Sequence, residues 1–332
     1  MSTSVHSNSL TFTPVDHCIS GPLPKTSEWE ALRLYVPGRE RPVVFGASEA
    51  AAACGLSKYD QPLSLYMQKR SEHVKEFSDE QRERMAFGLA LEPVILGQYA
   101  ARRECEVVTG QPMFLSTLWP FMGATPDAIA FDAKAPSNWW VVECKNTSTH
   151  MVDPTGEDAS KFGVDGTDQV PIEYVMQAQQ QMAVLGCDLV EFPVLVGGNS
   201  LRIYTVRRDE GLIDLIVKSE RDLADQIVMG LPPDAIPDHG SSLDIFRRAQ
   251  CESGKTIVLP TELESVWNDL EASRASKEQA KKLHDSATAR LMQAVGDAEY
   301  AILGDKRLKR VSVRPTEFTV KRGGYSFLKL VK

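Results

Sequence analysis

Residues 123–145, GATPDAIAFDAKAPSNWWVVECK, decide how this chain is read. The alternation in Ala128-Ile129-Ala130-Phe131 and the aromatic run Trp139-Trp140-Val141-Val142 predict two β-strands. The first follows Pro126-Asp127, and the second closes on Glu143-Cys144-Lys145. Successive strand side chains point to opposite faces, so Glu143 and Lys145 share one face and Cys144 takes the other. Paired as a hairpin, the strands bring Asp127 toward Glu143. Two carboxylates and an ammonium on one patch are a costly way to end an aromatic strand. A divalent cation between the acids explains them, because Mg²⁺ takes one or two carboxylates plus waters and phosphate oxygens. A surface hairpin with solvated polar residues is the alternative that these residues alone leave open.

At 332 residues, 42% hydrophobic and 25% charged, the chain has the composition of a soluble protein with one main domain and an appendage. It has no apolar run of membrane-spanning length, and its first residues, MSTSVHSNSLTFTPVDHC, lack the basic region and apolar core of a signal peptide. No membrane association is expected. Six cysteines, at 18, 54, 105, 144, 187 and 251, form no CxxC pair. That pattern suits reduced thiols in a cytoplasm and speaks against zinc or an iron–sulfur cluster. The net charge of −8 is unevenly spread. Residues 303–332 hold Lys306, Arg307, Lys309, Arg310, Arg314, Lys321, Arg322, Lys329 and Lys332 against Asp305 and Glu317, a local charge of +7 that leaves −15 on the rest. An acidic protein with a concentrated basic segment is compatible with nucleic-acid binding.

The chain divides into a flexible leader (1–26), a core (27–232), a linker (233–260) and a C-terminal helical arm with a basic β-ribbon (261–332). Ser27-Glu28-Trp29-Glu30 has the composition of a helix start. Ser48 is placed to N-cap an alanine-rich helix over 49–54, and a helix N-terminus with a free hydroxyl suits an anion; capping alone is the plainer reading. A charged helix over 72–84 passes into Met85–Leu96, with apolar residues 87, 91, 94, 95 and 99 at helical spacing. Glu92 lies beside that face and needs a partner, either a metal-linked water or a salt bridge. Residues 105–122 predict two strands joined by a turn at Gly110-Gln111-Pro112. The long polar segment 146–171 is of a length that is often functional, and next to a cleft it could close over DNA.

A helix follows over Ile172–Leu185, whose Gln179, Gln180 and Gln181 are expected to be solvated. Beyond it come a strand pair, Glu191–Val196 with Leu201–Val206, and an amphipathic helix ending near Met229. Thr261-Glu262-Leu263-Glu264 reads as a capping box that opens a long charged helix or helical hairpin. Strands are expected at Tyr300–Leu303, Leu308–Val313, Phe318–Val320 and Tyr325–Leu330.

Together these pieces resemble the YqaJ-like and lambda-exonuclease group of phage recombination exonucleases, within the PD-(D/E)xK nuclease superfamily. The resemblance covers roughly Trp29 to Leu231. It is carried, in order, by Trp29-Glu30-Ala31-Leu32-Arg33-Leu34, Gly46-Ala47-Ser48-Glu49, Gly88-Leu89-Ala90-Leu91-Glu92-Pro93, Thr125-Pro126-Asp127, Glu143-Cys144-Lys145 and Tyr174-Val175-Met176-Gln177-Ala178-Gln179. It implies an α/β fold with a central mixed β-sheet flanked by helices. It also implies Mg²⁺, with Mn²⁺ able to replace it, held by Asp127, Glu143, the Cys144 backbone carbonyl and Glu92. Lys145 would act on the attacking water and the transition state, with Gln177 positioning it. Arg33, Ser48 and Gln179 would contact DNA at its 5′-phosphate.

The implied activity is 5′–3′ digestion of linear duplex DNA, leaving 3′ strands for a single-strand annealing protein. The implied assembly is a homo-oligomeric ring such as a trimer, in the cytoplasm of a bacterial or phage-infected cell. A structure-specific or restriction-type endonuclease, a non-catalytic DNA-binding or recruitment module, and a purely structural protein are the competing readings. The last two gain little from a carboxylate pair facing phosphate.

Overall fold

A computed structural model describes residues 16–72, 77–243, 246 and 256–311. Most of the expected leader, Arg314, Lys321, Arg322, Lys329, Lys332 and the expected strands after residue 312 lie outside the described residues. The chain divides into two units, Met1–Arg247 and Arg248–Lys332.

The first unit runs β1 (Cys18–Ser20), α1 (Ser27–Leu32), β2 (Phe45–Gly46), a 3₁₀ turn (Ala47–Glu49), α2 (Ala50–Ala53), α3 (Pro62–Lys69) and α4 (Asp79–Arg103). It continues through β3 (Cys105–Thr109), β4 (Phe114–Ser116), β5 (Met122–Ala124), β6 (Ala128–Asp132), β7 (Trp139–Val142) and β8 (Lys145–Thr147). It ends with α5 (Ile172–Leu185), β9 (Leu189–Val196), β10 (Ser200–Arg207) and α6 (Glu210–Met229). A mixed sheet of order β10-β9-β7-β6-β3, with β8 added alongside β9, carries the middle of the fold. A second sheet has the order β1-β4-β5-β2. The class is the expected mixed α/β one, but with two sheets where one was foreseen.

The β6–β7 hairpin forms, with Ala128 opposite Val142 and Phe131 opposite Trp139. Its alternation sorts the core. Ile129, Phe131 and Val141 face the large cluster under α5 and α6, while Ala128, Ala130 and Val142 meet Leu96 and Tyr99 of α4. The β9–β10 hairpin also forms, over its full eight residues. By contrast β3 and β4 are not hairpin partners: β3 pairs with β6 and β4 with β1 and β5. Long-range pairing overrides the local turn signal at Gly110.

Helix α4 is a single helix through Pro93, opened by a Ser78–Gln81 capping box. Only Ile95, Leu96 and Tyr99 of it are buried, whereas Phe87 and Val94 are exposed. Three glutamines of α5 reverse expectation: Gln179, Gln180 and Gln181 are buried, as is Gln177. Segment 146–171 is fastened rather than free. Phe162 is buried against Tyr174 and Tyr204, Gly163 accepts the Tyr204 hydroxyl, and the Asp165 carboxylate and Gly166 N–H bond to the Ile203 backbone. The first part of the expected linker is packed as well: Gln61 binds Ile236, Ser241 and Ser242, and His239 meets the Ser57 carbonyl.

The second unit contains α7 (Leu263–Val295), one continuous helix, and an antiparallel ribbon of β11 (Tyr300–Leu303) with β12 (Lys306–Lys309). The capping box expected at Thr261 is absent; Glu262 is the N-cap and makes no side-chain cap bond. Arg307 and Lys309 lie over the Tyr300 ring, 4.4 and 5.4 Å from its centroid.

Gln180 and Glu220 form an unusual buried pair. The Gln180 amide donates to the carbonyls of Phe45 and Gly123, at 3.0 and 3.2 Å, clamping β2 to β5. Its Oε1 and both oxygens of the fully buried Glu220 beside it have no hydrogen-bond partner. Burial, then the charge of Glu49, pushes the Glu220 carboxyl well above the usual range, so the folded state favours the protonated acid, able to donate to that amide. A raised folded pKa makes stability fall as pH climbs above the unfolded value of 4.5. Glu220→Gln is therefore expected to raise Tm relative to the parent chain, by a margin that grows between pH 5 and pH 8. An equal margin at both pH values in paired melts would contradict the protonated acid.

Candidate active site

The site assembles where β7 stops. Val142 ends its pairing with β6, the Glu143 N–H donates to the Glu191 carbonyl at 3.0 Å, and pairing resumes at Lys145 as β8 alongside β9. Glu143 and Cys144 thus occupy a break between two strands. The face assignment still holds. Cys144 packs on the α4 side with Leu96, Tyr99 and Val142, and Glu143 turns toward α5. Asp127, one residue before β6, accepts the Cys144 N–H on Oδ2 at 2.8 Å. That bond fixes the two ends of the hairpin against each other.

Glu143 is buried and held from three sides. Lys145 Nζ donates to its Oε1 at 2.8 Å, Gln177 Nε2 to the same oxygen at 2.6 Å, and Gln181 Nε2 to Oε2 at 2.8 Å. Gln177 and Gln181 are one helical turn apart, so α5 presents both amides along one line. Lys145 also donates to Gln177 Oε1 at 3.3 Å and lies 4.8 Å from the centroid of Tyr174, the first residue of the Tyr-x-x-Gln-x-Gln helix. Gln181 was missed in the sequence, where its position read as solvated. Its only signal was the spacing of four from Gln177.

The electrostatics are those of crowded acids beside one ammonium. Burial first, and then the charge of Glu143, pushes the Asp127 carboxyl well up, against the opposing pull of Lys145. Glu92, on α4, is pushed up by burial and by Glu143. Burial works against the Lys145 ammonium, but Glu143 and Asp127 outweigh it and hold it protonated beyond the ordinary lysine range. The Cys144 thiol is driven up by burial and the neighbouring carboxylates, so it is neutral and no thiolate ligand. Among the described residues, no three His, Cys, Asp or Glu side chains converge closely enough to hold a metal by themselves. One or two carboxylates with a backbone carbonyl are nonetheless a donor set suited to a hard cation that keeps its waters.

A second cluster surrounds the Gly46–Glu49 turn. Arg33 pairs with Glu49 Oε1 at 2.8 Å and lies over Trp29, 4.5 Å from its centroid. Lys69, its side chain only 3% exposed, pairs with Glu49 Oε2 at 2.7 Å and donates to the Val44 carbonyl at 3.0 Å. Ser48 is exposed in the 3₁₀ turn. It caps nothing: Glu49 stands at the N-cap of α2, which is only four residues long, so the expected capping role falls away. Gln179 is buried, with both ends of its amide engaged by the main chain. Its Nε2 donates to the Arg207 carbonyl and its Oε1 accepts the Asp209 N–H, both at 2.8 Å, locking α5 to the junction of β10 and α6.

A mixed sheet that ends in Pro126-Asp127 and Glu143-Cys144-Lys145, brought together in space, defines an arrangement of the PD-(D/E)xK type. Residues 28–188 match the family model of the YqaJ-like viral recombinase domain. The Bacillus subtilis protein YqaJ, described as uncharacterized, is 25% identical over 273 residues, covering 80% of this chain and 79% of the relative. Two solved structures are distantly similar in backbone. The alkaline exonuclease LHK-Exo from Laribacter hongkongensis has 19% identity and a TM-score of 0.41, over 62% of this chain and 94% of that one. A phage related exonuclease from Haemophilus somnus has 16% identity and a TM-score of 0.41, over 57% and 97%. Among the described residues, no helix is long and apolar enough to cross a membrane.

Glu49 links this geometry to stability. Burial opposes its charge, but Arg33 and Lys69 outweigh burial and hold the carboxyl down at about 2. A depressed folded pKa gives stability that is present above the unfolded value of 4.5 and lost as pH falls toward 2. Glu49→Gln is expected to cost about 3 kcal/mol at neutral pH by leaving the Lys69 ammonium unpaired. In denaturant titrations the deficit should shrink below pH 4; a deficit independent of pH would refute the linkage.

Proposed function

We propose that the chain is a metal-dependent deoxyribonuclease acting as a 5′–3′ exonuclease on linear double-stranded DNA. Its product would be a 3′ single strand, handed to a single-strand annealing protein. The observation that carries this reading is the convergence of Asp127, Glu143 and a protonated Lys145, braced by Gln177, within a YqaJ-like recombinase segment. Polarity, the annealing partner, ring assembly and a cytoplasmic setting enter with the family resemblance.

Asp127, Glu143, the Cys144 carbonyl and Glu92 are oxygen donors suited to Mg²⁺, or Mn²⁺ in its place. Such a cation supplies charge neutralisation at phosphate and an acidified water. The protein's own groups do the rest. Lys145, fixed by Glu143 and Gln177, keeps its proton and so serves as a donor: it orients the attacking water and stabilises the charge building on the phosphate oxygens. Gln177 bridges Glu143 and Lys145, so it sets their separation. Arg33, with a side chain 22% exposed, and the exposed Ser48 would take the terminal 5′-phosphate. The buried Gln179 has no part in that pocket.

Digestion of 5′-phosphorylated linear duplex in Mg²⁺, beside a covalently closed circle, tests the reading. Stepwise loss of the linear DNA alone is expected, with Lys145→Ala slower by at least about a hundredfold. Cutting of the circle would move the assignment to an endonuclease, and binding without cleavage in Mg²⁺ or Mn²⁺ would favour a recruitment module. Mg²⁺ should also raise the Tm of the parent chain but not of Asp127→Asn, since a ligand bound only to the folded state stabilises it. Equal shifts in both would remove Asp127 from the cation site.

A further inference from the structure

The Gly46–Glu49 cluster holds more than a pair of exposed groups. Glu49 has three partners at once: Arg33 on Oε1, with Lys69 and the Gly46 N–H both on Oε2, the last at 2.8 Å. The same carboxylate therefore ties the guanidinium to the turn that displays Ser48. Arg33 is boxed further. Trp29 lies against one face of it, and a Cβ at Gly46 would stand 3.6 Å from its Cζ and Nη2. Lys69, nearly fully buried, reaches no other acid within ion-pair distance among the described residues; its remaining bond is to the Val44 carbonyl, and it lies 5.0 Å from the Phe45 ring centroid. Among the ion-paired groups, Arg33 and Lys69 against Glu49 leave one positive charge in excess, and burial biases the nearby Glu220 toward its neutral form. Of the three charged side chains only Arg33, at 22%, and Glu49, at 14%, keep appreciable exposure, so the excess charge is offered on the Arg33 side.

We propose that Glu49, braced by the buried Lys69, is a positioning residue that fixes Arg33 and the Ser48 turn as a preformed pocket for a terminal phosphate. This rests on the reading of Arg33 and Ser48 as the 5′-phosphate site. Glu49 touches no substrate in this scheme. It occupies one edge of the guanidinium, leaves the remaining donors for phosphate oxygens, and removes the rotamer freedom that a long cation otherwise loses on binding. Lys69 keeps Glu49 ionised and in place. An arginine with no such brace would still attract DNA, but would discriminate poorly between a phosphate end and the phosphates along the duplex.

The test compares degradation of linear duplexes bearing 5′-phosphate or 5′-hydroxyl ends, with KM and kcat for each. The proteins are the parent chain, Arg33→Ala, Glu49→Gln, the double variant Arg33→Ala/Glu49→Gln, and Glu49→Gln/Lys69→Gln. Glu49→Gln should lower the phosphate-over-hydroxyl preference roughly tenfold, mainly through KM, the scale of coupling between touching residues. In the Arg33→Ala background it should lower it no further. Glu49→Gln/Lys69→Gln leaves no buried ammonium unpaired, so it reports even if the single variant fails to fold, and it should show the same loss. Unchanged preference in Glu49→Gln or in that double variant overturns the proposal. So does an equal loss on both ends, which marks a merely structural role. If Arg33→Ala itself keeps the full preference, the phosphate-pocket reading fails first and takes this inference with it.

Discussion

The carboxylate of Glu143 is the constraint on which the site depends. A buried carboxylate is expensive unless its oxygens are bonded, and here Lys145, Gln177 and Gln181 supply those bonds while its own N–H is tied to Glu191. Meeting that demand dictates much else. Helix α5 must run with two amides toward the break between β7 and β8. β7 must end at Val142 so that Glu143 can turn off the sheet. Lys145 must restart the pairing at β8 so that its ammonium returns to the same face. Across the sheet Glu191 answers a similar demand with Tyr99, Arg103 and Thr205, and Tyr99 in turn accepts the Trp140 indole N–H.

Helix α5 also joins the Glu143 centre to the Gly46–Glu49 cluster. Gln177 and Gln181 serve the Glu143 carboxylate, and Gln180 grips Phe45 and Gly123, the residues that lead into the Gly46–Glu49 turn and toward Asp127. Gln179 anchors the same helix to the start of α6. Four consecutive or near-consecutive amides thus hold rigid elements at fixed separations, which is what the proposed site, with an end-binding pocket and a reacting centre, requires.

Much of this was legible in the sequence, for identifiable reasons. The β6–β7 and β9–β10 hairpins follow from alternation and short connections, and the approach of Asp127, Glu143 and Lys145 follows from the period of a strand. The buried glutamines were not legible. Composition treats an amide as polar surface, whereas these are buried because carboxylates and main-chain carbonyls need donors there. The separation of β3 from β4 was hidden because long-range pairing decides it. Lys69 and Glu220 were hidden because only the folded chain brings α3 and α6 to Glu49. Ser48 misled because its turn is 3₁₀ and the helix after it is too short to need a side-chain cap.

Asp127 and Glu143 are proposed to hold a divalent cation on this framework. Anomalous scattering from crystals soaked in Mn²⁺ tests it most directly. A peak bounded by the Asp127 and Glu143 carboxylates and the Cys144 carbonyl, absent from Asp127→Asn crystals, is the predicted result. A peak confined to other acids, or none where the parent crystals carry Mn²⁺ elsewhere, would contradict it.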